Sequence, residues 1–314
     1  MRYLLQHLIA YWKEHFSFRL YGFTLILTSL LVWFNYALDF EDSRIDRYSD
    51  SNIRILWYFL YHILPYYAVV LASAFFSGKK DFLRQPGFWL VSSIGFLILA
   101  FDRGNNFILP LAKFFSNHSL TFPFTFKMVN RWLPLLTVLI PLSLFYWIYL
   151  RKSMGHFFGV RSHGLHLSGY FGLLLLMVPL VLIASYQPDF LKQYPNYQSA
   201  RGHLMAQHLH WPESLIVVIY EFSYAYSFFM VELFFRGFLI FALSRYLGNE
   251  VVLPMAVTYC VLHFGKPMGE AISSFFGGYI LGVLALRTKN IYGGIIIHIG
   301  IAWLMEVFAF WQLS

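Results

Sequence analysis

The chain has 314 residues, 59% of them hydrophobic and 21% aromatic, with only 12% charged. Soluble domains are about one-quarter charged, and several apolar runs here approach the roughly 20 residues that cross a bilayer, so composition excludes a soluble globular protein. The net charge of +8 does not imply nucleic acid, because the basic residues are scattered between apolar runs, where they set topology.

The N-terminus, Met1 to Ser17, carries Arg2, Lys13 and Glu14 around Leu4, Leu5, Leu8, Ile9 and Trp12. That spacing predicts a short helix lying in the membrane interface. No small-residue cleavage site follows the first apolar run, so the first span reads as retained. Nine candidate spans come after it: 20–38, 55–76, 88–109, 132–150, 170–186, 215–243, 251–264, 271–286 and 292–310. The expected architecture is an all-α polytopic bundle of about eight or nine transmembrane helices. The lone cysteine, Cys260, lies within an apolar run, so no intramolecular disulfide is possible.

Orientation is set by the loops. Lys79, Lys80 and Arg84 follow the second span, Arg151, Lys152 and Arg161 the fourth, Arg245 the sixth, and Arg287 and Lys289 the eighth. If every span crosses, these clusters share one side and the acidic segment with Asp39, Glu41, Asp42, Asp46 and Asp50 faces the other. Taking the basic side as cytoplasmic places the N-terminus inside. In the first five spans His62 reads as a packing histidine and Asp102-Arg103 as an interfacial pair. His203, His208 and His210 gather in a polar connection, where a metal site needs geometry that spacing does not supply.

Polar residues at membrane depth concentrate after Ser214. Charges there are expensive and mark functional sites by default. The sixth span holds Met230-Val-Glu-Leu-Phe-Phe-Arg-Gly237, with Glu232 and Arg236 four apart, the better orientation for a helical acid–base pair. Glu221 lies eleven residues earlier near the same face, with Tyr224, Ala225 and Phe228. The seventh holds Tyr259 and His263, after which Gly265-Lys-Pro267 breaks the helix. The eighth carries Ser274, Gly278 and Gly282 as a small-residue ridge for close helix approach. The ninth holds His298, with Glu306 further along the same face.

A buried carboxylate and a histidine can share and activate a water, and a second histidine can stabilise the oxyanion formed at a peptide carbonyl. Three other readings compete. Glu232 and Arg236 form a self-neutralising strut with bridging histidines; Glu232, His263 and His298 supply a zinc set without the compact H-E-x-x-H arrangement; or the broken helix and charges belong to a transporter, for which no internal repeat is found.

Three motifs in order carry a resemblance to the CPBP intramembrane proteases, which include the type II CAAX prenyl endopeptidases and bacteriocin-processing proteins. The family's Glu-Glu-x-x-x-Arg is similar to Val231-Glu232-Leu-Phe-Phe-Arg236, its Phe/Tyr-x-x-x-His to Tyr259 through His263, and its His-x-x-x-Asn to His298 through Ala302. The resemblance covers about residues 211–310 and divides the chain into N-terminal helices, 1–210, and a four-helix protease-like core, 211–314. It implies a membrane endopeptidase of a bacterial plasma membrane, acting on a peptide or protein substrate at the bilayer without an implied cofactor. Glu232 would be the base, His263 its partner, His298 the oxyanion donor and Arg236 the positioning residue. Two positions depart: Val231 stands where the family has its water-activating glutamate, and Ala302 where it has an asparagine donor. The alternative is therefore a catalytically retired member acting as a membrane scaffold or a binder of peptide or lipopeptide.

Overall fold

The computed structural model describes residues 1–161 and 164–314, and every regular element among them is helical. Helix α1 (Arg2–His15) precedes α2 (Phe18–Leu38), whose start is capped by the Ser17 hydroxyl accepting from the Leu20 N–H. Helix α3 (Ile53–Ser77) ends at Gly78, where φ is +74°. Then come α4 (Pro86–Gly104), with proline at the position where its missing N–H is harmless, and the short α5 (Ile108–Phe115). Helix α6 (Phe122–Leu150) contains Pro134 and Pro141 and widens into π-helical turns over Leu135–Leu139 and Tyr146–Leu150. A proline removes one rung of the helical ladder, and a π-turn shifts the register of the residues beyond it.

Helix α7 (Leu167–Ala184) leads into three short helices, α8 (Pro188–Gln193), α9 (Asn196–Ser199) and α10 (Gly202–Leu209). The chain then enters α11, which is α-helical over Glu213–Glu232 and π-helical over Leu233–Ala242. Helices α12 (Val252–Leu262), α13 (Met268–Thr288) and α14 (Tyr292–Leu313) complete the bundle.

Each expected span corresponds to a helix, and eight stretches among the described residues are long and apolar enough to cross a bilayer. Nine became eight because 213–262 forms one such stretch, α11 and α12 being joined by short helical turns. Helix α12 has only 11 residues, about 16 Å at 1.5 Å per residue, half the hydrocarbon thickness. It tolerates that length because Val252 through Val261 are all buried in protein, where irregular backbone at its ends need not meet lipid.

The four basic loops meet at one end of the bundle, as the parity of the spans predicts. There Arg161 Nε donates to the Lys289 carbonyl (2.7 Å), Lys79 pairs with Glu250 (3.4 Å), Arg245 reaches Ser153, and Arg287 pairs with Glu14 of α1. Tyr11 also donates to the Asn249 carbonyl (2.6 Å), so α1 is pinned across this basic end.

At the opposite end the turn after α12 is held by α2. Asn35 Nδ2 donates to the Phe264 carbonyl (3.4 Å) and the Tyr36 hydroxyl to that of Lys266 (2.6 Å). Asn35 Oδ1 in turn accepts from the Glu41 N–H and the Tyr61 hydroxyl. His62 is buried, with Nδ1 2.8 Å from the Tyr58 carbonyl, a packing role. Arg103 is exposed, and the Thr137 hydroxyl donates to Asp102.

Candidate active site between helices α11, α12 and α14

Three helices bring one polar cluster together inside an apolar shell. Glu232 closes the α-helical part of α11 and Arg236 lies in the first turn of its π-helical part; both are fully buried. Glu232 Oε1 lies 3.0 Å from Arg236 Nη1 and 2.6 Å from His298 Nδ1 on α14. A buried carboxylate needs such neighbours, since an unpaired charge at this depth is strongly unfavourable.

Close approach of α14 to α11 depends on Gly294, one turn before His298. A methyl group there would collide with Glu232 Oε2. Gly293 beside it is overlaid by the ring of Tyr170 on α7. On the other flank, Gly278 of α13 lies against Tyr259 and Ala256, and Gly282 against Met255 and Val252. The small-residue ridge thus seats α12, and with it Tyr259 and His263.

Tyr259 is the centre of the cluster. Its hydroxyl lies 2.6 Å from His298 Nε2, its ring sits 4.2 Å from Arg236 Cζ in a cation–π contact, and its ring centroid is 4.5 Å from that of His263. A hydrogen bond to a carbonyl assigns the proton of one of the two imidazoles, His263. At His298, Nε2 is paired with the Tyr259 hydroxyl and Nδ1 faces Glu232 Oε1. His263 Nδ1 is 2.8 Å from the Tyr259 carbonyl. A carbonyl accepts only, so Nδ1 is the donor and Nε2 is left as the basic nitrogen.

His298 and His263 are partly exposed, whereas Glu232, Arg236 and Tyr259 are buried behind them. The wall above His298 is aromatic: Phe228 stacks on its ring at 5.6 Å and Tyr224 follows at 5.0 Å from Phe228. Chemically, the arrangement offers one imidazole with a free nitrogen and a second backed by a carboxylate. Among the described residues no group of three or more His, Cys, Asp or Glu is placed to hold a metal ion. His208 of the 203–210 histidines stacks on His118 at 5.0 Å.

The structure therefore joins Glu232, Arg236 and His298 directly and links His263 through Tyr259. Val231 is partly buried and packs on the apolar core, and Ala302 is buried. Glu306 does not reach the cluster: its two oxygens accept the Asn196 and Tyr197 N–H groups (2.7 and 3.2 Å). The sequence reading undervalued Tyr259, although its four-residue spacing from His263 was visible, and passed over Gly294, whose signal was the Gly293-Gly294 pair one turn before His298.

Residues 211–304 match the family described as Rce1-like, type II CAAX prenyl endopeptidase. That match covers the site-bearing third of the chain. All three motif segments, up to Ala302, fall inside the match, and the helices before α11 fall outside it. No curated protein and no solved structure matches the chain. The apolar helices make this an integral membrane protein, and its last third is similar to the CAAX endopeptidases.

Proposed function

We propose that this CAAX-protease-like protein is an intramembrane endopeptidase in which His263 activates the attacking water and His298, backed by Glu232, receives the oxyanion. The observation that carries the reading is the hydrogen bond of His263 Nδ1 to the Tyr259 carbonyl, which leaves Nε2 as a base beside a second, carboxylate-supported imidazole. His263 Nε2 takes a proton from water while the water oxygen attacks the peptide carbonyl carbon. The carbonyl π electrons move to oxygen, which is stabilised by His298 as the imidazolium, its Nδ1–H facing Glu232 and its Nε2–H turned from Tyr259 to the oxyanion. Collapse breaks the C–N bond, and the proton held by His263 passes to the leaving nitrogen. Glu232 then acts through His298, and Arg236 fixes Glu232. The base role read for Glu232 from the motif passes to His263 because Glu232 has no exposed surface, and a base must come within hydrogen-bond reach of its water.

The decisive experiment is hydrolysis of a broad peptide library by the protein reconstituted in membranes. His263→Ala is expected to abolish cleavage, and Glu232→Gln to lower it about 10²-fold, the size of effect seen when an oxyanion donor is lost. If Glu232→Gln abolishes cleavage while His263→Ala leaves a measurable rate, the base is Glu232. Cleavage lost to a chelator would instead support the zinc set.

A second reading has its own observation. Val231 in place of the family's first glutamate and Ala302 in place of its asparagine leave the site without two polar groups the resemblance implies. A folded wild-type protein that cleaves nothing in the library, yet retains peptide or lipopeptide, would establish the non-catalytic binder. For either reading we place the protein in a bacterial plasma membrane with its basic end cytoplasmic, following the charge bias of the loops.

A further inference from the structure

Helices α11 and α14 run antiparallel past the site in a regular register. Glu232 meets His298, and eight residues further towards the end away from the basic loops, Tyr224 on α11 and Glu306 on α14 stand at the same level, about 12 Å from the site. The third side at that level is the turn after His263 together with Glu270 at the start of α13. These three walls stand above Phe228, which stacks on His298.

One segment touches all three. The Tyr194 hydroxyl donates to Glu270 (3.1 Å to Oε2), and Lys266 Nζ lies 5.5 Å from the centre of the Tyr194 ring. Asn196 and Tyr197 give their backbone N–H groups to buried Glu306, and Asn196 Nδ2 donates to the Tyr224 hydroxyl (3.5 Å). Lys127 of α6 holds the far side through the Asn196 carbonyl and the Ser199 hydroxyl. The Tyr194 side chain is buried, and loss of water, followed by Tyr224 and Glu270 nearby, pushes its phenol well above its ordinary range. The Tyr194 and Tyr197 rings are packed in apolar clusters on either side, while the attachments that cross the three walls are polar side chains and main-chain N–H groups, which water or another peptide could replace.

We propose that residues Tyr194–Tyr197 are a displaceable strap across the mouth of the site, occupying with their own N–H groups the place where Glu306 receives the main chain of an entering peptide. A carboxylate that accepts two successive main-chain N–H groups recognises a polypeptide irrespective of its side chains, as an opening into a peptide-handling site requires. The proposal rests on the position of the candidate site and not on its hydrolytic role.

The test uses thiol labelling, which needs no turnover. Cys260 is buried, with Sγ 3.1 Å from the Ala271 carbonyl, and serves as the unreactive control. A Phe228→Cys variant in lipid nanodiscs is treated with a water-soluble maleimide. Adding Glu306→Gln is expected to speed labelling about tenfold, the effect of weakening a hydrogen-bonding carboxylate. Adding Tyr194→Phe, which removes one hydroxyl and keeps the ring, provides a milder opening should Glu306→Gln fail to fold. A synthetic peptide of residues 192–200, added to the Tyr194→Phe protein, is expected to slow labelling again, and the same peptide N-methylated at Asn196 and Tyr197 to leave it fast. Equal labelling with and without Tyr194→Phe overturns the strap. Equal protection by the methylated peptide overturns the main-chain role of Glu306. Loss of hydrolysis in any of these proteins bears on the catalytic reading alone.

Discussion

At the residue scale, the Glu232–Arg236 pair is held in place as much by the penalty for separating it as by its attraction. Arg236→Leu leaves a carboxylate buried with only His298 to neutralise it, a change expected to destabilise by about 3–5 kcal/mol. The double variant Glu232→Leu/Arg236→Met removes both charges and should recover most of that loss. Unfolding in mixed micelles measures the difference, and a double variant less stable than Arg236→Leu would argue against charge burial as the main term. Gly294 gives a steric counterpart. Gly294→Ala drives a methyl group into Glu232 Oε2, with an expected loss of about 1–3 kcal/mol. Gly277→Ala, with nothing within 4 Å of the new carbon, should be neutral or slightly stabilising, since glycine weakens a helix interior.

At the scale of elements, α12 depends on α13 for its position. Gly278→Ala presses on the Tyr259 ring, which is hydrogen-bonded to His298 and packed edge-on against His263. The expected outcome is a fall in site function at nearly normal folded yield, whereas Gly282→Ala, which meets the flexible end of Met255, should do less to the site. Comparing activity or ligand retention per folded protein separates the two. The element scale is also where sequence reading was strongest and weakest. Apolar runs located every spanning helix, because lipid demands long uninterrupted stretches, and Gly265-Lys-Pro267 marked the break after α12. The π-helical Leu233–Ala242 had no such signature, since no residue in it carries a π preference. Pairwise spacing likewise brought Glu232 and Arg236 together, but the linkage of His263 through Tyr259 depends on how α12 is rotated, which a sequence does not state.

At the scale of the molecule, the two ends differ in chemistry. The basic end carries the lysine and arginine loops, and the other carries an acidic turn beside the α2 residues that grip the chain after His263. Glu41 there is buried, and loss of water raises its carboxyl to about 7 despite Arg103 and the Tyr58 hydroxyl. Gly265 faces its Oε2. Because the folded pKa lies above the unfolded value, the folded state holds the extra proton. Stability contributed by Glu41 is then greatest at low pH and declines as pH rises from about 4.5 through 7. The decline should be on the order of 3 kcal/mol in total. Glu41→Gln should flatten that part of the profile in unfolding experiments from pH 4 to 8; a profile unchanged by the substitution would exclude Glu41 as its source.

The aromatic side chains of the π-helical segment rest on parts of the chain that precede α11. Phe238 lies over Gly95 of α4, Phe241 over Gly159, and the backbone of Phe158 crowds Gly237. The glycines leave no room for a substitute side chain under these rings, so the site-bearing third of the protein has no portable form. Cut out at residue 211 and expressed by itself, it would present bare phenylalanine where its escort used to lie.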